Sequence, residues 1–352
     1  MSLVLREAAA VDSVLDVVGH TPLVRLRRLP DPAGADVFVK LEGFNPSGSV
    51  KDRSALGMID AAEAAGSLAP GMTVIESSSG NLGVAIAQIG AVRGYRVIIV
   101  ADRKASPAQV ALMTAYGAEV DLVQGDPPEG LQQARWHRVR ELAAIHAPAF
   151  IPDQYDNPDN PAAHARTTGA ELLAALGDRF STVVATVSTG GHLSGIAECV
   201  RPMGVRIVAV DIAGSALFRS ESHPYLTNGM GLSWTPGNLA DDLIDTVVVA
   251  DDITAFETAR ALALHEGILA GPSTGAAVAA AIGVASTAAP EDSVVAIAPD
   301  RGDRYVDSLL QPDWCERHGI RAWPSVRQVR ENPRLASLGR SVRRTPVGRD
   351  TG

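Results

Sequence analysis

The chain has 352 residues, with 46% hydrophobic residues, 20% charged residues and a formal net charge of −9 at pH 7. This length favours two domains, the composition excludes a disordered chain, and the negative charge argues against non-specific nucleic-acid binding. No apolar run reaches the roughly 18 residues that a membrane span needs. The lack of a signal-peptide pattern and of closely spaced cysteines favours a cytoplasmic protein without a disulfide framework or a metal site.

Short apolar runs and helical patterns alternate along the chain, which predicts an α/β fold with parallel sheets covered by helices on both faces. Glycines punctuate the pattern, and Gly66, Gly94 and Gly117 end three of the predicted helices. The predicted strands are residues 35–41, 72–76, 96–101, 119–123, 181–187, 206–212, 246–249 and 293–298. The predicted helices are residues 54–65, 82–92, 107–116, 131–145, 195–200, 253–265 and 273–284, with a further helix that ends at Leu176.

A segment rich in Pro, Asp, Asn and Gln at residues 150–161 interrupts this alternation and indicates a domain boundary. We predict an N-terminal domain of residues 13–155 and a C-terminal domain of residues 156–325, with residues 1–40 able to cross into the other domain. Residues 326–352 form a predicted mobile basic tail, because they end in a run rich in Arg, Ser, Gly and Pro.

Lys51 comes just after a turn-forming run, residues 45–49, and lies in or just before the first turn of the helix predicted at residues 54–65. A cation is poorly placed there, because the helix dipole favours negative charge at a helix N-terminus. The same field favours the neutral amine, which is the form that attacks a carbonyl carbon. Lys51 is therefore a candidate Schiff-base lysine, and a solvated surface lysine is the alternative interpretation.

Three more loops lead from a strand or a turn into a helix and are rich in small residues. Residues 77–83 present unpaired backbone N–H groups suited to a carboxylate or a phosphate. Residues 188–195 combine adjacent glycines with hydroxyls, which suits a phosphate, although the loop matches neither nucleotide-binding fingerprint. Ser273 caps an Ala-rich helix. Taken alone, each loop could be an ordinary turn or cap; with the lysine, they are the parts of a pyridoxal 5′-phosphate enzyme acting on an amino acid.

Residues 45–53, 78–83, 188–191 and 271–276 occur in the order found in the cysteine synthase and cystathionine β-synthase family, which this sequence resembles over residues 15–314. It is most similar to the branch that makes N-(2-amino-2-carboxyethyl)-L-glutamate for 2,3-diaminopropionate biosynthesis. The resemblance implies the tryptophan-synthase-β-like fold type II with two domains, pyridoxal 5′-phosphate as cofactor, and a transferase that acts on amino-acid substrates. It also implies a homodimer.

The resemblance implies roles for the motif residues. Lys51 is the implied catalytic residue, which binds the cofactor covalently and takes the α-proton. The other implied cofactor-binding residues are Asn81 at the 3′ oxygen, Ser188, Thr189, Gly190, Gly191 and His192 at the phosphate, and Ser273 at the pyridine nitrogen. The implied substrate-binding residues are Ser78, Ser79, Gly80, Leu82 and Gln154 at the carboxylate, Arg135 and Tyr155 with Ser188 at the donor phosphate, and Gly231 and Ser233 in a later loop.

The sequence departs from the common family pattern at several of these positions. Leu82 removes a hydroxyl from the carboxylate loop, His192 replaces a threonine, and Ser233 stands where plain cysteine synthases tend to have glycine. The segment of residues 299–305 also differs, and no role is assigned to residues 300–304. For Arg135, a surface position on a helix is the alternative interpretation.

The implied reaction is a β-replacement. A serine at the pyridine nitrogen makes the ring a weaker electron sink than a carboxylate would, which suits elimination at the β-carbon. O-phospho-L-serine or O-acetyl-L-serine would give an aminoacrylate, to which an amine such as L-glutamate adds. The alternatives are a cysteine or S-sulfocysteine synthase that uses sulfide or thiosulfate, a β-eliminating deaminase, and a catalytically silent regulatory homologue, against which the presence of Lys51 argues.

Overall fold

The structure is a computed structural model, and it describes residues 10–125, 127, 130–219, 222–331 and 334. Within these residues, ten strands form two sheets. Most strands are short apolar runs, as expected for strands buried on both faces. The strands are β1 (Leu23–Arg25), β2 (Asp36–Leu41), β3 (Thr73–Ser77), β4 (Arg96–Ala101), β5 (Glu119–Leu122), β6 (Ala149–Phe150), β7 (Thr182–Thr186), β8 (Arg206–Ile212), β9 (Thr246–Ala250) and β10 (Ser293–Ala298).

The larger sheet has the strand order β1-β2-β10-β7-β8-β9, and the smaller sheet has the order β5-β4-β3-β6. All pairings are parallel except that of β1 with β2. β2 pairs in parallel with β10, so the first strands of the chain lie in the sheet formed by its second half. The predicted α/β class with mostly parallel sheets is confirmed, while the residue limits of the two domains stay a prediction.

Helices cover the faces of both sheets, as the alternating pattern predicts. Two of the helical stretches contain a π-helical turn, at Ala165–Gly169 and at Leu262–Glu266. The α-helices are α1 (Lys51–Ala64), α2 (Asn81–Arg93), α3 (Pro107–Ala115), α4 (Leu131–Ile145), α5 (Asp159–His164), α6 (Ala170–Leu176), α7 (Gly191–Val200), α8 (Asp252–Ala261), α9 (Pro272–Ala285), α10 (Pro312–Arg317) and α11 (Val326–Arg330).

One helix start differs clearly from the sequence prediction. α7 begins at Gly191, four residues before the predicted start of the helix at residue 195. The reason is that Gly190, with φ of 84°, turns the chain into the helix at the first possible residue. Two adjacent glycines are typical of a loop, which is why the sequence predicts a later helix start, but Gly191 is already helical in the structure. This early start brings the helix N-terminus directly behind the end of β7.

The core alternates across the central strand of the larger sheet. Val294, Ala296 and Ala298 of β10 face one hydrophobic cluster, and Val295 and Ile297 face the other. All five side chains are at most 1% exposed. This two-sided burial explains why β10 is an unbroken apolar run in the sequence. It also makes the carboxyl end of β10 a rigid place from which a site residue can project.

Gly275 of α9 is required by the close packing of that helix on α8. A methyl group at Gly275 would overlap the carbonyl oxygen of Ala255 and lie within 3 Å of the Ala259 backbone nitrogen. Gly275→Ala is therefore expected to lower the free energy of unfolding by about 1–3 kcal/mol, measured by chemical denaturation. Gly283→Ala, a less buried position of the same helix, is the control and should stay within about 1 kcal/mol of the wild type. Equal stability of both variants would contradict this packing.

The predicted mobile tail departs from expectation at its start. Residues 326–330 form α11, because Ser325 caps the helix and Val329 is buried against the core of the larger sheet. The rest of the predicted tail, apart from residues 331 and 334, lies outside the described residues. Among the helices that the structure describes, none combines the length and apolar character needed to cross a bilayer.

Candidate active site

The turn before Lys51 is fixed by hydrogen bonds on two sides. The Asp52 carboxylate accepts hydrogen bonds from the Ser47 backbone N–H at 2.6 Å and from the Ser47 hydroxyl at 2.5 Å. The Val50 N–H donates to the Pro299 carbonyl oxygen at 2.7 Å, just beyond the end of β10. Lys51 is then the first residue of α1. Lys51 thereby lies at the start of α1, close to the end of β10, which agrees with its predicted position in or just before a first helical turn.

A buried ionic network anchors the same helix. The Arg53 guanidinium contacts Glu42 at 2.7 Å and Glu171 at 2.6 Å, and Lys40 contacts Glu171 at 2.5 Å. Arg53 and Glu42 are almost fully buried. Removing one partner of such a pair typically costs about 3–5 kcal/mol, because the other charge stays buried without compensation. The network therefore holds the first turn of α1 in a fixed position.

Lys51 differs from the two other lysines of the chain, Lys40 and Lys104. Lys40 is bound to Glu171, and Lys104 is exposed. Burial lowers the pKa of Lys51 to about 8, and the negative charge of Asp300 opposes this shift. A lowered pKa increases the fraction of neutral, nucleophilic amine at neutral pH. Lys51 is therefore the lysine best suited to attack an aldehyde.

The loop between β7 and α7 is built to bind an anion. The backbone N–H groups at the start of α7 and its dipole favour negative charge. Three buried polar atoms around this loop have no hydrogen-bond partner: Thr186 Oγ1, Thr189 Oγ1 and His192 Nε2. Buried polar groups are normally paired, so these atoms indicate a ligand with several acceptor oxygens. The loop, including Gly190 and the partly buried Ser188, fits the phosphate of pyridoxal phosphate.

His192 enters this site as a neutral imidazole. Burial, together with the nearby positive charge of Lys51, lowers the pKa of His192 to about 3. The imidazole therefore contributes a polar ring to the phosphate loop without a positive charge. Because the charge of Lys51 acts on His192, the predicted phosphate loop and the lysine lie near each other.

Ser273 and Asn81 lie at two other helix starts of the same site. Ser273 is the second residue of α9 and is 2% exposed. Asn81 is the first residue of α2, and its side-chain N–H donates to Asp300 Oδ2 at 2.7 Å. The side-chain oxygen of Asn81, Oδ1, accepts hydrogen bonds from Arg304 and from Gln109. The Asp300 carboxylate also lies against Gly271, two residues before Ser273, so the starts of α2 and α9 meet at this carboxylate.

The predicted carboxylate loop uses its backbone more than its side chains. The Ser78 hydroxyl accepts hydrogen bonds from the Gly83 N–H at 3.0 Å and from the Gly80 N–H at 3.3 Å, so it caps the start of α2. The Leu82 side chain is 2% exposed and packs in the core of the smaller sheet. The replacement of a hydroxyl by Leu82 therefore leaves only a backbone N–H at this position to face a ligand.

Arg135 and Ser79 are in direct contact, although 56 residues separate them. Arg135 Nη1 donates to Ser79 Oγ at 2.6 Å and lies 3.0 Å from Asp102 Oδ2. The Arg135 residue is only 8% exposed, and its buried Nε has no hydrogen-bond partner. The alternative of a surface arginine is therefore wrong. Arg135 presents an unused N–H group beside the predicted substrate loop.

Tyr155 and Gln154 close the site on the side of residues 150–161. Tyr155 is buried, its ring lies between those of Trp136 and Trp234 at centroid distances of 6.3 Å and 5.2 Å, and burial raises its pKa to about 12. Gln154 is also buried, and its side-chain N–H donates to the Ser77 carbonyl oxygen at 3.1 Å. Tyr155 therefore remains a neutral phenol at neutral pH, able to donate a hydrogen bond.

The two residues predicted from the later loop are placed differently from each other. Gly231 is buried, has φ of 74°, and donates its N–H to the Val187 carbonyl oxygen at 2.7 Å, next to the phosphate loop. Ser233 is exposed. Gly231 thus belongs structurally to the site, whereas the Ser233 side chain faces solvent in this conformation.

Asp300 is the site residue to which the sequence reasoning gave no role. It directly follows β10 and accepts a hydrogen bond from Asn81, and its negative charge raises the pKa of Lys51. In parallel sheets, sites lie at the carboxyl ends of the strands. A polar residue at the end of a strongly predicted strand was therefore the signal that could have identified Asp300.

The fold and the site define an enzyme of the pyridoxal phosphate class with fold type II. The chain belongs to the family described as "Pyridoxal-phosphate dependent enzyme", whose profile matches residues 14–300. The predicted family, cofactor and enzyme class are confirmed, and the roles of individual site residues stay predictions.

Named relatives narrow the reaction type. The chain is 41% identical to an N-(2-amino-2-carboxyethyl)-L-glutamate synthase of Ralstonia nicotianae over 308 residues, which cover 87% of this chain and 91% of the relative. It is 39% identical to a cysteine synthase of Staphylococcus aureus, with 85% and 97% covered. A crystal structure of cysteine synthase from Entamoeba histolytica superposes with a TM-score of 0.85 at 32% identity, with 96% and 98% covered. The protein is therefore a pyridoxal phosphate-dependent enzyme of β-replacement.

Proposed function

We propose that the protein joins an activated L-serine, preferably O-phospho-L-serine, to an amine such as L-glutamate, which gives N-(2-amino-2-carboxyethyl)-L-glutamate. The observation that carries the choice of donor is the buried Arg135 guanidinium, whose Nη1 contacts Ser79 and Asp102 and whose Nε has no hydrogen-bond partner. A buried N–H without an acceptor is costly, and a phosphate oxygen would satisfy it. The 41% identity to a synthase of this name supports the choice of product.

The residues divide the work of the reaction. Bound pyridoxal phosphate supplies the aldehyde and an electron-withdrawing ring. The Lys51 amine, with its lowered pKa, can take a proton from the substrate α-carbon and return it. The N-terminus of α7 binds the cofactor phosphate, and the backbone N–H groups at the start of α2 bind the substrate carboxylate. Arg135 and the neutral Tyr155 phenol stabilise the departing phosphate.

The same site also supports a second candidate. A cysteine or S-sulfocysteine synthase would share the loss of the leaving group and would differ only in the nucleophile, sulfide or thiosulfate. The 39% identity to a cysteine synthase supports this second candidate. We further propose the domain limits at residues 155 and 325, a homodimer and a cytoplasmic location, in line with the family resemblance. A β-eliminating deaminase and a silent regulatory homologue are less well supported.

Comparison of three nucleophiles in separate reactions tests the proposed acceptor. The enzyme is first mixed with O-phospho-L-serine, and L-glutamate, sulfide or thiosulfate is then added in separate reactions. We expect the fastest product formation with L-glutamate, identified by mass spectrometry. Faster formation of cysteine or S-sulfocysteine would refute the amine acceptor and support the sulfur alternative.

Substitution of Arg135 tests the proposed donor. Arg135→Ala is expected to reduce kcat/KM for O-phospho-L-serine about 10- to 100-fold more than for O-acetyl-L-serine, because charge-assisted hydrogen bonds to the phosphate are lost. Arg138→Ala is the matched control, since Arg138 lies on the same helix but pairs with Asp121 and Glu141 near the surface. Equal losses for the two donors in the Arg135 variant would show that Arg135 does not recognise the phosphate.

A further inference from the structure

Asp300 is tied to the Lys51 turn through the backbone. Asp300 forms an antiparallel bridge with Ser49, and the neighbouring Pro299 carbonyl accepts the Val50 N–H at 2.7 Å. Asp300 is 3% exposed and lies just after the rigid end of β10. The carboxylate therefore lies across from the start of α1, where the backbone holds it in place.

The two oxygens of this carboxylate are used unequally. Asp300 Oδ2 accepts hydrogen bonds from Asn81 at 2.7 Å and from the Tyr305 hydroxyl at 2.8 Å. Oδ1 is buried and has no hydrogen-bond partner, and a Cβ added at Gly271 would overlap it. Oδ1 thus faces the loop that carries Ser273, inside the site. A buried carboxylate oxygen without a donor is costly and indicates a function.

We propose that Asp300 is a positioning residue that carries the counter-charge of the Lys51 ammonium and orients the Asn81 amide for the cofactor ring. This inference rests on the proposed role of Lys51 as the lysine that binds the cofactor. Asp300 acts through Lys51 and Asn81. It thereby controls how much of the lysine is neutral, and so when the lysine can bond to the cofactor.

The other charged and titratable groups around Lys51 do not replace Asp300. His192 of α7 and His164 of α5 both interact with Lys51, and burial lowers the pKa of each imidazole so that both are neutral. Arg304 also interacts with Asp300, but it donates to Asn81 and to the Ser47 carbonyl oxygen and adds positive charge. Burial raises the pKa of the Asp300 carboxyl, while the charge of Arg304 and hydrogen bonds from Asn81 and the Tyr305 hydroxyl oppose this shift and favour the ionised form. Among the groups that the structure describes as interacting with Lys51, Asp300 is the acidic one.

The consequence is a defined pH dependence of cofactor capture. The neutral Lys51 amine adds to the aldehyde carbon, a carbon–nitrogen double bond forms, and the carbonyl oxygen leaves as water with the two amine hydrogens. The protonated amine cannot attack, so capture accelerates as the pH rises through the pKa of Lys51, about 8. Removing the Asp300 charge destabilises the ammonium and lowers that pKa, which moves the midpoint to lower pH.

The test is the rate at which apoenzyme captures pyridoxal phosphate, followed by its visible absorption band between pH 6 and 10 (a range of about two units on either side of the Lys51 pKa). Asp300→Asn keeps the shape of the side chain. In this variant, we expect the pH at which the capture rate is half-maximal to be lower than in the wild type by about one pH unit or more. Asp303→Asn is the matched control, because Asp303 is half exposed and pairs with Arg301. Free pyridoxal phosphate titrates in the same way in the experiments with the wild type, the Asp300 variant and the Asp303 variant, so its effect cancels when their pH profiles are compared.

A second measurement does not depend on cofactor binding. The rate of Lys51 acylation by a small anhydride, read by mass spectrometry as a function of pH, reports the pKa of Lys51 in the apoenzyme. We expect the same downward shift in the Asp300→Asn variant. An unchanged or raised midpoint in this measurement would overturn the role of Asp300. A wild-type protein that captures no cofactor on Lys51 would instead overturn the proposed role of the lysine, so the two failures are distinguishable.

Discussion

Replacing Lys51 with alanine is expected to abolish the visible band of bound cofactor and to lower the rate of β-replacement by at least about 10²–10⁴-fold. The structure gives two reasons for this loss. The pKa of Lys51 is lowered, which favours the nucleophilic amine, and in the proposed reaction the same amine moves the substrate α-proton. Absorption spectra and single-turnover rates with O-phospho-L-serine measure both effects.

The matched control for this substitution is Lys104→Ala. Lys104 is exposed, so its loss should leave the spectrum and the rate close to wild type. Thermal unfolding of the Lys51 variant shows whether its fold is intact. A Lys51→Ala protein that keeps the visible band would refute the assignment of the Schiff-base lysine.

The second large effect is expected at the phosphate loop. Gly191→Ala should weaken pyridoxal phosphate binding by about 10- to 150-fold, equivalent to losing one charge-assisted hydrogen bond. A methyl group at Gly191 would overlap the Asn160 carboxamide, which is buried and donates to the Gln154 carbonyl oxygen at 2.7 Å. Asn160 therefore cannot move aside easily, and the start of α7 must shift. Equilibrium binding to apoenzyme measures the change in the dissociation constant.

Pyridoxal, which lacks the phosphate, is the control ligand for the Gly191 variant. If Gly191 serves the phosphate cradle, its substitution should weaken binding of pyridoxal much less than binding of pyridoxal phosphate. Equal losses for the two ligands would show that the substitution damages the whole site and that the phosphate assignment is not supported.

Most of the elements could be predicted because their signals are local. β4, β8 and β10 are apolar runs with the limits that the sequence predicts, and α4 likewise spans the predicted residues. Two-sided burial makes such strands visible in a single sequence. What the sequence could not show is that β2 joins β10, because the pairing of strands so far apart in the chain leaves no local pattern.

The site was predictable where one short loop supplies the chemistry. Lys51 lies at a helix start, as its sequence indicates, and the loop from Ser188 to His192 leads into a helix that begins earlier than predicted. Contacts between distant segments were not predictable. In the sequence, Arg135 is one of several arginines on a polar helix, and only the folded structure shows that it is buried against Ser79. Asp300 is a further example, since its role depends on segments that meet only in the folded chain.

Two departures from the family pattern have different structural meanings. Leu82 packs into the core, so at this position of the predicted carboxylate loop only a backbone N–H is left to face a ligand. His192 lies in the predicted phosphate loop as a buried neutral ring whose Nε2 has no partner, so it keeps a polar atom there. The departure at residue 82 therefore removes a polar side chain from the predicted substrate loop, whereas the departure at residue 192 keeps one in the predicted cofactor loop.

The most direct test of the central claim is chemical mapping of the cofactor linkage. Borohydride reduces the carbon–nitrogen double bond of the holoenzyme to a stable bond, and mass spectrometry then locates the pyridoxyl group on a proteolytic peptide. The chain has three lysines, Lys40, Lys51 and Lys104, so the outcome is unambiguous. We expect the modification on Lys51. A pyridoxyl group on Lys40 or Lys104, or none on any lysine of a holoenzyme with its visible band, would contradict the account.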